Sequence, residues 1–198
     1  MKNARFLHEE GGADVKCRDG YGRTPLTLAA REGHADMVRF LTEEAGADVD
    51  RGNSSGWTPT FAAALFGHLE VARILVEERG ADANKVERDG WTPLHASACT
   101  NMLEVAEWLV TKRGADVFQT TNDGDTPLSL AIEFSSTAVV PFLQHWTLSV
   151  LPRRTVLASV NLARRHQPKR RFVPELLRHL CLAGPFLEGV LSGEEQMR

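Results

Sequence analysis

Three features of this chain predict an all-α solenoid of stacked helix-turn-helix units. Thr-Pro recurs at Thr24-Pro25, Thr58-Pro59, Thr92-Pro93 and Thr126-Pro127, each pair 34 residues after the last. Gly-Ala-Asp keeps the same interval, at Gly12-Ala13-Asp14, Gly46-Ala47-Asp48, Gly80-Ala81-Asp82 and Gly114-Ala115-Asp116. Between these markers run segments with apolar residues at spacings of three and four, the pattern of amphipathic helices. Two independent motifs in register over four periods identify like units that bury their core against one another and present function on a surface along the stack.

Within one period the elements follow from the residues in order. Asp89-Gly90-Trp91-Thr92-Pro93 reads as a turn and then a helix start. Gly90 supplies a tight turn, Thr92 is an N-cap acceptor, and Pro93 suits the first helical position, where its missing N–H has no helical partner anyway. A first helix of about two turns follows. In the two preceding periods it stops at Gly33-His34 and Gly67-His68, because glycine takes the left-handed conformation that closes a helix. A second helix is expected over 69–78, with counterparts over 35–44 and 103–112. Gly-Ala-Asp then turns the chain toward the next hairpin-like finger. Phe40, Ile74, Trp108 and Phe142 hold one place in successive second helices, followed by Leu41, Leu75, Leu109 and Leu143. Each such side chain, once buried between units, contributes roughly 1.5–3 kcal/mol.

Thr92-Pro93-Leu94-His95, followed by the small residues Ala96-Ser97-Ala98, resembles the signature of ankyrin repeats. The resemblance covers roughly residues 3–143. Repeats of that family run to about 33 residues, so the additional residue here is expected at the end of the second helix, lengthening it. Only His95 keeps the motif's histidine; Thr27, Phe61 and Ser129 stand elsewhere. The resemblance implies that this histidine ties neighbouring loops together, and so that the tie occurs once.

The array is expected to begin with a half repeat, 3–18, because Phe6 to Val15 align with Phe40 to Val49. Repeats then occupy about 19–52, 53–86, 87–120 and a degenerate 121–143. In the last, Ser135-Ser136 replaces Gly-His and Pro141 enters the second helix, which should start late or kink. Residues 144–192 are expected to form a helical cap, with helices over 154–165 and 174–182 docked on the last repeat, and 193–198 to form a disordered tail.

Net charge is −3, yet residues 1–151 hold 14 Lys/Arg against 22 Asp/Glu while 152–198 hold 9 against 4. The three cysteines, Cys17, Cys99 and Cys181, have no paired spacing for a disulfide framework or zinc site. The N-terminal residues lack the apolar run of a secretory signal, and no apolar stretch is long enough to span a membrane. A cytoplasmic monomer with access to the nucleus is the expectation. Phosphate loops, zinc-protease and serine-hydrolase motifs are absent. His34, His68 and His95 occupy structural positions, Cys99 reads as a small core thiol, and no cofactor, metal or small-molecule substrate is expected.

The expected function is therefore non-enzymatic recognition of a protein partner on the concave face built from fingertips and first helices. The residues that vary there are Tyr21, Arg23, Arg31, Trp57, Leu65, Phe66, Trp91, Asp123 and Asp125. They compose an aromatic centre of Trp57, Trp91, Leu65 and Phe66 between a basic flank, Arg23 and Arg31, and an acidic one, Asp123 and Asp125. Phe66 stands where the neighbouring repeats have Glu32 and Thr100, with no evident packing duty. Two alternatives concern the tail. Residues 172–180 loosely resemble the end of a SOCS box, which would make the chain a ubiquitin-ligase adaptor through elongins. Arg164-Arg165 and Lys169-Arg170-Arg171 would instead suit a nuclear or nucleic-acid role.

Overall fold

The structure, a computed structural model, describes residue 12 and residues 14–150, the side chain of Val150 excepted. Among them lie eight α-helices and no strand. We number them α1 (Pro25–Arg31), α2 (Ala35–Glu43), α3 (Pro59–Leu65), α4 (Leu69–Arg73), α5 (Pro93–Cys99), α6 (Leu103–Arg113), α7 (Pro127–Glu133) and α8 (Val139–Val150). The expected half repeat before residue 12, the helices over 154–165 and 174–182, the SOCS-like and basic segments and the tail lie outside the described residues.

Thr-Pro opens α1, α3, α5 and α7 in one way. The hydroxyls of Thr24, Thr58, Thr92 and Thr126 accept from the amides of Thr27, Phe61, His95 and Ser129 at 3.2, 3.1, 3.4 and 3.1 Å. Each cap contributes about 1 kcal/mol. Each of these helices closes through a left-handed residue at one register: Gly33 (φ 74°), Gly67 (φ 77°), Asn101 (φ 61°) and Ser135 (φ 54°). Where the sequence departs from glycine, the turn is kept. Asn101 then accepts from the amides of Ala138 and Val139, holding the start of α8 from the preceding repeat.

The additional residue per repeat does not simply lengthen the second helices, as the sequence led us to expect. It enters as a wider turn. The amide of Ala45 bonds the carbonyl of Phe40, and that of Arg79 bonds Ile74, each five residues back. After α4 the chain runs through a π-helical turn, Ile74–Glu78. α6 does run longer than α2 and α4, and it ends at left-handed Gly114, bonded to the Leu109 carbonyl. A wider turn takes up one residue while keeping the apolar residues before it aimed at the core.

The late start foreseen from Pro141 is what the structure shows. α8 opens at Val139, so the proline falls in the first turn, where no helical acceptor awaits its missing N–H. The helix runs on to Val150, past residue 143. First helices pack on first helices along the stack, and each packs on the second helix of its own repeat. Their shared core includes Leu26, Phe40, Ile74, Leu75, Leu109 and Leu143.

Candidate recognition surface

Each finger is a hairpin-like turn held by one side-chain oxygen at a register the sequence reading missed. Asp19 Oδ1 accepts from the amides of Tyr21 and Arg23, Asn53 Oδ1 from Ser55 and Trp57, and Glu87 Oε1 from Asp89 and Trp91, all at 2.8–3.0 Å. In the last finger Thr121 Oγ1 accepts from Asp125 at 3.2 Å. Asp, Asn, Glu and Thr at residues 19, 53, 87 and 121 look unrelated in the sequence, yet all supply an acceptor to the same turn. Fingers are tied in series by backbone bonds, Ser54 to Tyr21, Arg88 to Ser55 and Asn122 to Asp89.

Glu87 does this at a cost. It is 6% exposed, and its Oε2 has no hydrogen-bond partner. Burial pushes its carboxyl above the ordinary range, although the amides of Trp91 and Asp89 pull the other way. A raised folded pKa means that stability is greatest with the carboxyl protonated, below its unfolded pKa, and falls as pH rises through the folded value. Glu87→Gln keeps the acceptor, as Asn53 does naturally, and removes the buried charge. The variant is expected to melt higher than wild type at pH 7, and that gain should shrink toward pH 4, which thermal denaturation across pH would read.

His95 is fully buried and bridges two repeats. Its Nδ1 accepts from the Thr92 amide at 3.1 Å, and its Nε2 donates to the carbonyls of Gln119 and Asp125 at 3.1 and 3.2 Å. The single histidine tie is thus present. His68 plays a different part, its Nε2 donating to the Arg31 carbonyl at 2.9 Å.

The candidate residues divide by exposure. Tyr21 is 45% exposed and Asp123 is exposed, whereas Arg23, Arg31, Trp57, Phe66 and Asp125 are half-buried. Leu65 and Trp91 are buried at 1% and 4%, which corrects their place as contact residues: neither side chain is offered to a partner here. Trp91 sits with its ring 6.2 Å from that of His95, while Trp57 lies 5.0 Å from the ring of Phe61. The basic flank is also altered. Arg23 pairs with Asp19 at 2.7 Å while lying over the Tyr21 ring, so its charge is satisfied within its own finger. Arg31 lies 5.4 Å over the ring of Phe66, giving that phenylalanine a partner across the repeat boundary.

A family model described as ankyrin repeats (3 copies) matches residues 2–87 and 79–150. The chain belongs to the ankyrin-repeat family. A search of curated proteins found no match. Ankyrin repeats generally mediate protein–protein interaction, and the family is generally non-enzymatic.

The two long faces of this ankyrin array differ in chemistry. On the second helices, Arg39 bridges Glu70 and Glu78 at 3.5 and 3.2 Å, and Arg79 pairs with Glu43. Glu77 receives Arg73, Arg113 and the Trp108 indole N–H at 3.3, 2.7 and 3.1 Å. The Trp108 bond, with the two arginines, holds the Glu77 carboxyl below the ordinary range against the effect of burial. These charges are spent on neighbouring repeats of the ankyrin stack. The finger and first-helix face instead carries Tyr21, Trp57 and Phe66 at its surface. Cys99, by contrast, is a thiol pushed up to about 12 by burial, with no nucleophilic character near neutral pH. Among the described residues no group of His, Cys, Asp and Glu could hold a metal ion, and no helix is long and apolar enough to cross a membrane.

Proposed function

We propose that the chain is a non-catalytic scaffold that binds a segment of a protein partner along the surface of its fingers and first helices. The observation that carries this reading is the half-buried Phe66, at a register where neighbouring repeats have Glu32 and Thr100. An aromatic ring on such a surface supplies large contact area at low entropic cost, and aromatic and arginine residues dominate binding energy at interfaces. Tyr21 and Trp57 on two successive fingers extend the same surface. On the opposite face the second helices are laced together by ion pairs.

Affinity capture from cell extract with wild type and Phe66→Ala tests this. For the partner retained by wild type, Phe66→Ala is expected to weaken binding by about 2 kcal/mol, near thirtyfold. The array itself should lose about 1 kcal/mol or less, the worth of the stacked Arg31. Unchanged affinity would exclude Phe66 from the interface, and a large fall in melting temperature would make it a packing residue.

A further inference from the structure

At α7 and α8 the stack ends on a repeat interface that the described residues leave open. His95 marks the side of a first helix that meets the next unit, because it bonds the carbonyls of Gln119 and Asp125. Ala98 lies one turn further along that side and is 0% exposed where α7 packs on α5. Its counterparts Ala30 and Ala64 are equally buried, whereas Ile132, at the same register of α7, is 50% exposed. Second helices show the same step. Val38, Ala72 and Ala106 are fully buried, while Val140 of α8 is only half-buried.

A further repeat of the same kind does not fit there. Alanine at residues 30, 64 and 98 lets the next first helix approach closely, and the larger isoleucine in that place would force the helices apart. The charges that link second helices to one another are also missing, since the registers of Arg39 and Glu43 hold Pro141 and His145 in α8. Residues 151–198 contain neither Thr-Pro nor Gly-Ala-Asp. The end face calls for apolar cover of another kind, as the terminal unit of a solenoid does in general.

We propose that this end face is the docking site of the chain's own continuation, residues 151–182, with Leu176, Leu177 and Leu180 set over Ile132 and Val140. Those leucines recur in the sequence at the spacing of one helix side, between Pro174 and Gly184-Pro185. Tethering through the residues after Val150 raises the segment's effective concentration to the order of millimolar, so a small apolar patch suffices to hold it. Charge has the matching sign. Residues 121–150 contain no Lys or Arg and expose Asp123 and Glu133, while 152–198 hold 9 Lys/Arg against 4 Asp/Glu. Leu148 lies about 12 Å along α8 from Val140, outside this patch.

Trypsin cleavage after Arg178, which stands between Leu177 and Leu180, reads the docking in the full chain. Ile132→Ser is expected to speed that cleavage about tenfold or more, although the substitution lies in the array, far along the chain from the cleaved bond. Thermal denaturation supplies a second reading. Ile132→Ser and Leu177→Ser should each lower the melting temperature, and the double variant should fall no further than the worse single one, since either loss already frees the segment. Unchanged cleavage, with an Ile132→Ser chain that melts like wild type as at an ordinary exposed residue, overturns the proposal. Additive losses overturn the pairing of the two residues as well. An effect of Ile132→Ser that appears only at high protein concentration assigns the face to a second copy, and that too overturns the docked tail.

Discussion

Replacing His95 with alanine is expected to destabilise the array by about 4 kcal/mol, a large fraction of the roughly 5–15 kcal/mol that holds a domain folded. The loss has four parts. The Thr92 amide and the carbonyls of Gln119 and Asp125 each give up a hydrogen bond in the interior, and a cavity replaces the ring. No other repeat has a histidine at this register to share the load.

The same residue sets a pH dependence whose sign is fixed. Burial lowers the His95 pKa to about 4, outweighing the carbonyls of Asp125 and Gln119, which favour the charged ring. The unfolded chain takes up this proton near pH 6.5 and the folded chain only near 4, so the contribution is complete above pH 6.5 and is lost as pH falls between those values. The full difference is about 3 kcal/mol. Protonation would also turn Nδ1 from an acceptor into a donor facing the Thr92 amide. In urea denaturation at pH 7 and pH 4.5, the gap between wild type and His95→Ala should narrow markedly at the lower pH. A gap that stays constant would mean that the ring's proton is not coupled to folding.

Leu109→Ala is expected to cost about 2–5 kcal/mol, because the side chain is fully buried in the middle of the stack and both neighbouring repeats would border the cavity. Leu148→Ala, at a residue 56% exposed on α8, should cost about 0.5 kcal/mol or less. The comparison separates leucines that complete the shared core from one that does not. Urea midpoints of the two variants check it, with comparable losses at both sites as the contrary result.

The repeat register was legible in the sequence to the level of single hydrogen bonds. Thr-Pro placed four N-caps, and the positions of Gly33 and Gly67 located left-handed turns that Asn101 and Ser135 also adopt. The histidine tie followed from one residue in the motif. Exposure was less legible, because a period fixes where a residue sits in its own unit but not what covers it: Trp57 and Trp91 share a register, yet one is half-buried and the other buried. The Arg31–Phe66 contact joins residues 35 positions apart, one residue out of step with the period, so no motif records it. The finger acceptors Asp19, Asn53, Glu87 and Thr121 did leave a trace, an oxygen-bearing side chain every 34 residues, which is hidden when residues are compared by charge rather than by acceptor. The π-helical turn after α4 left only the period itself as a clue.

The central claim is that recognition belongs to the fingers and first helices and not to the ion-paired second helices. Hydrogen–deuterium exchange on the complex with the captured partner tests it most directly. New protection is expected in residues 19–32, 53–66, 87–100 and 121–134, strongest around Trp57 and Phe66, with exchange in α2, α4 and α6 unaltered. Protection confined to α2, α4 and α6 would contradict it.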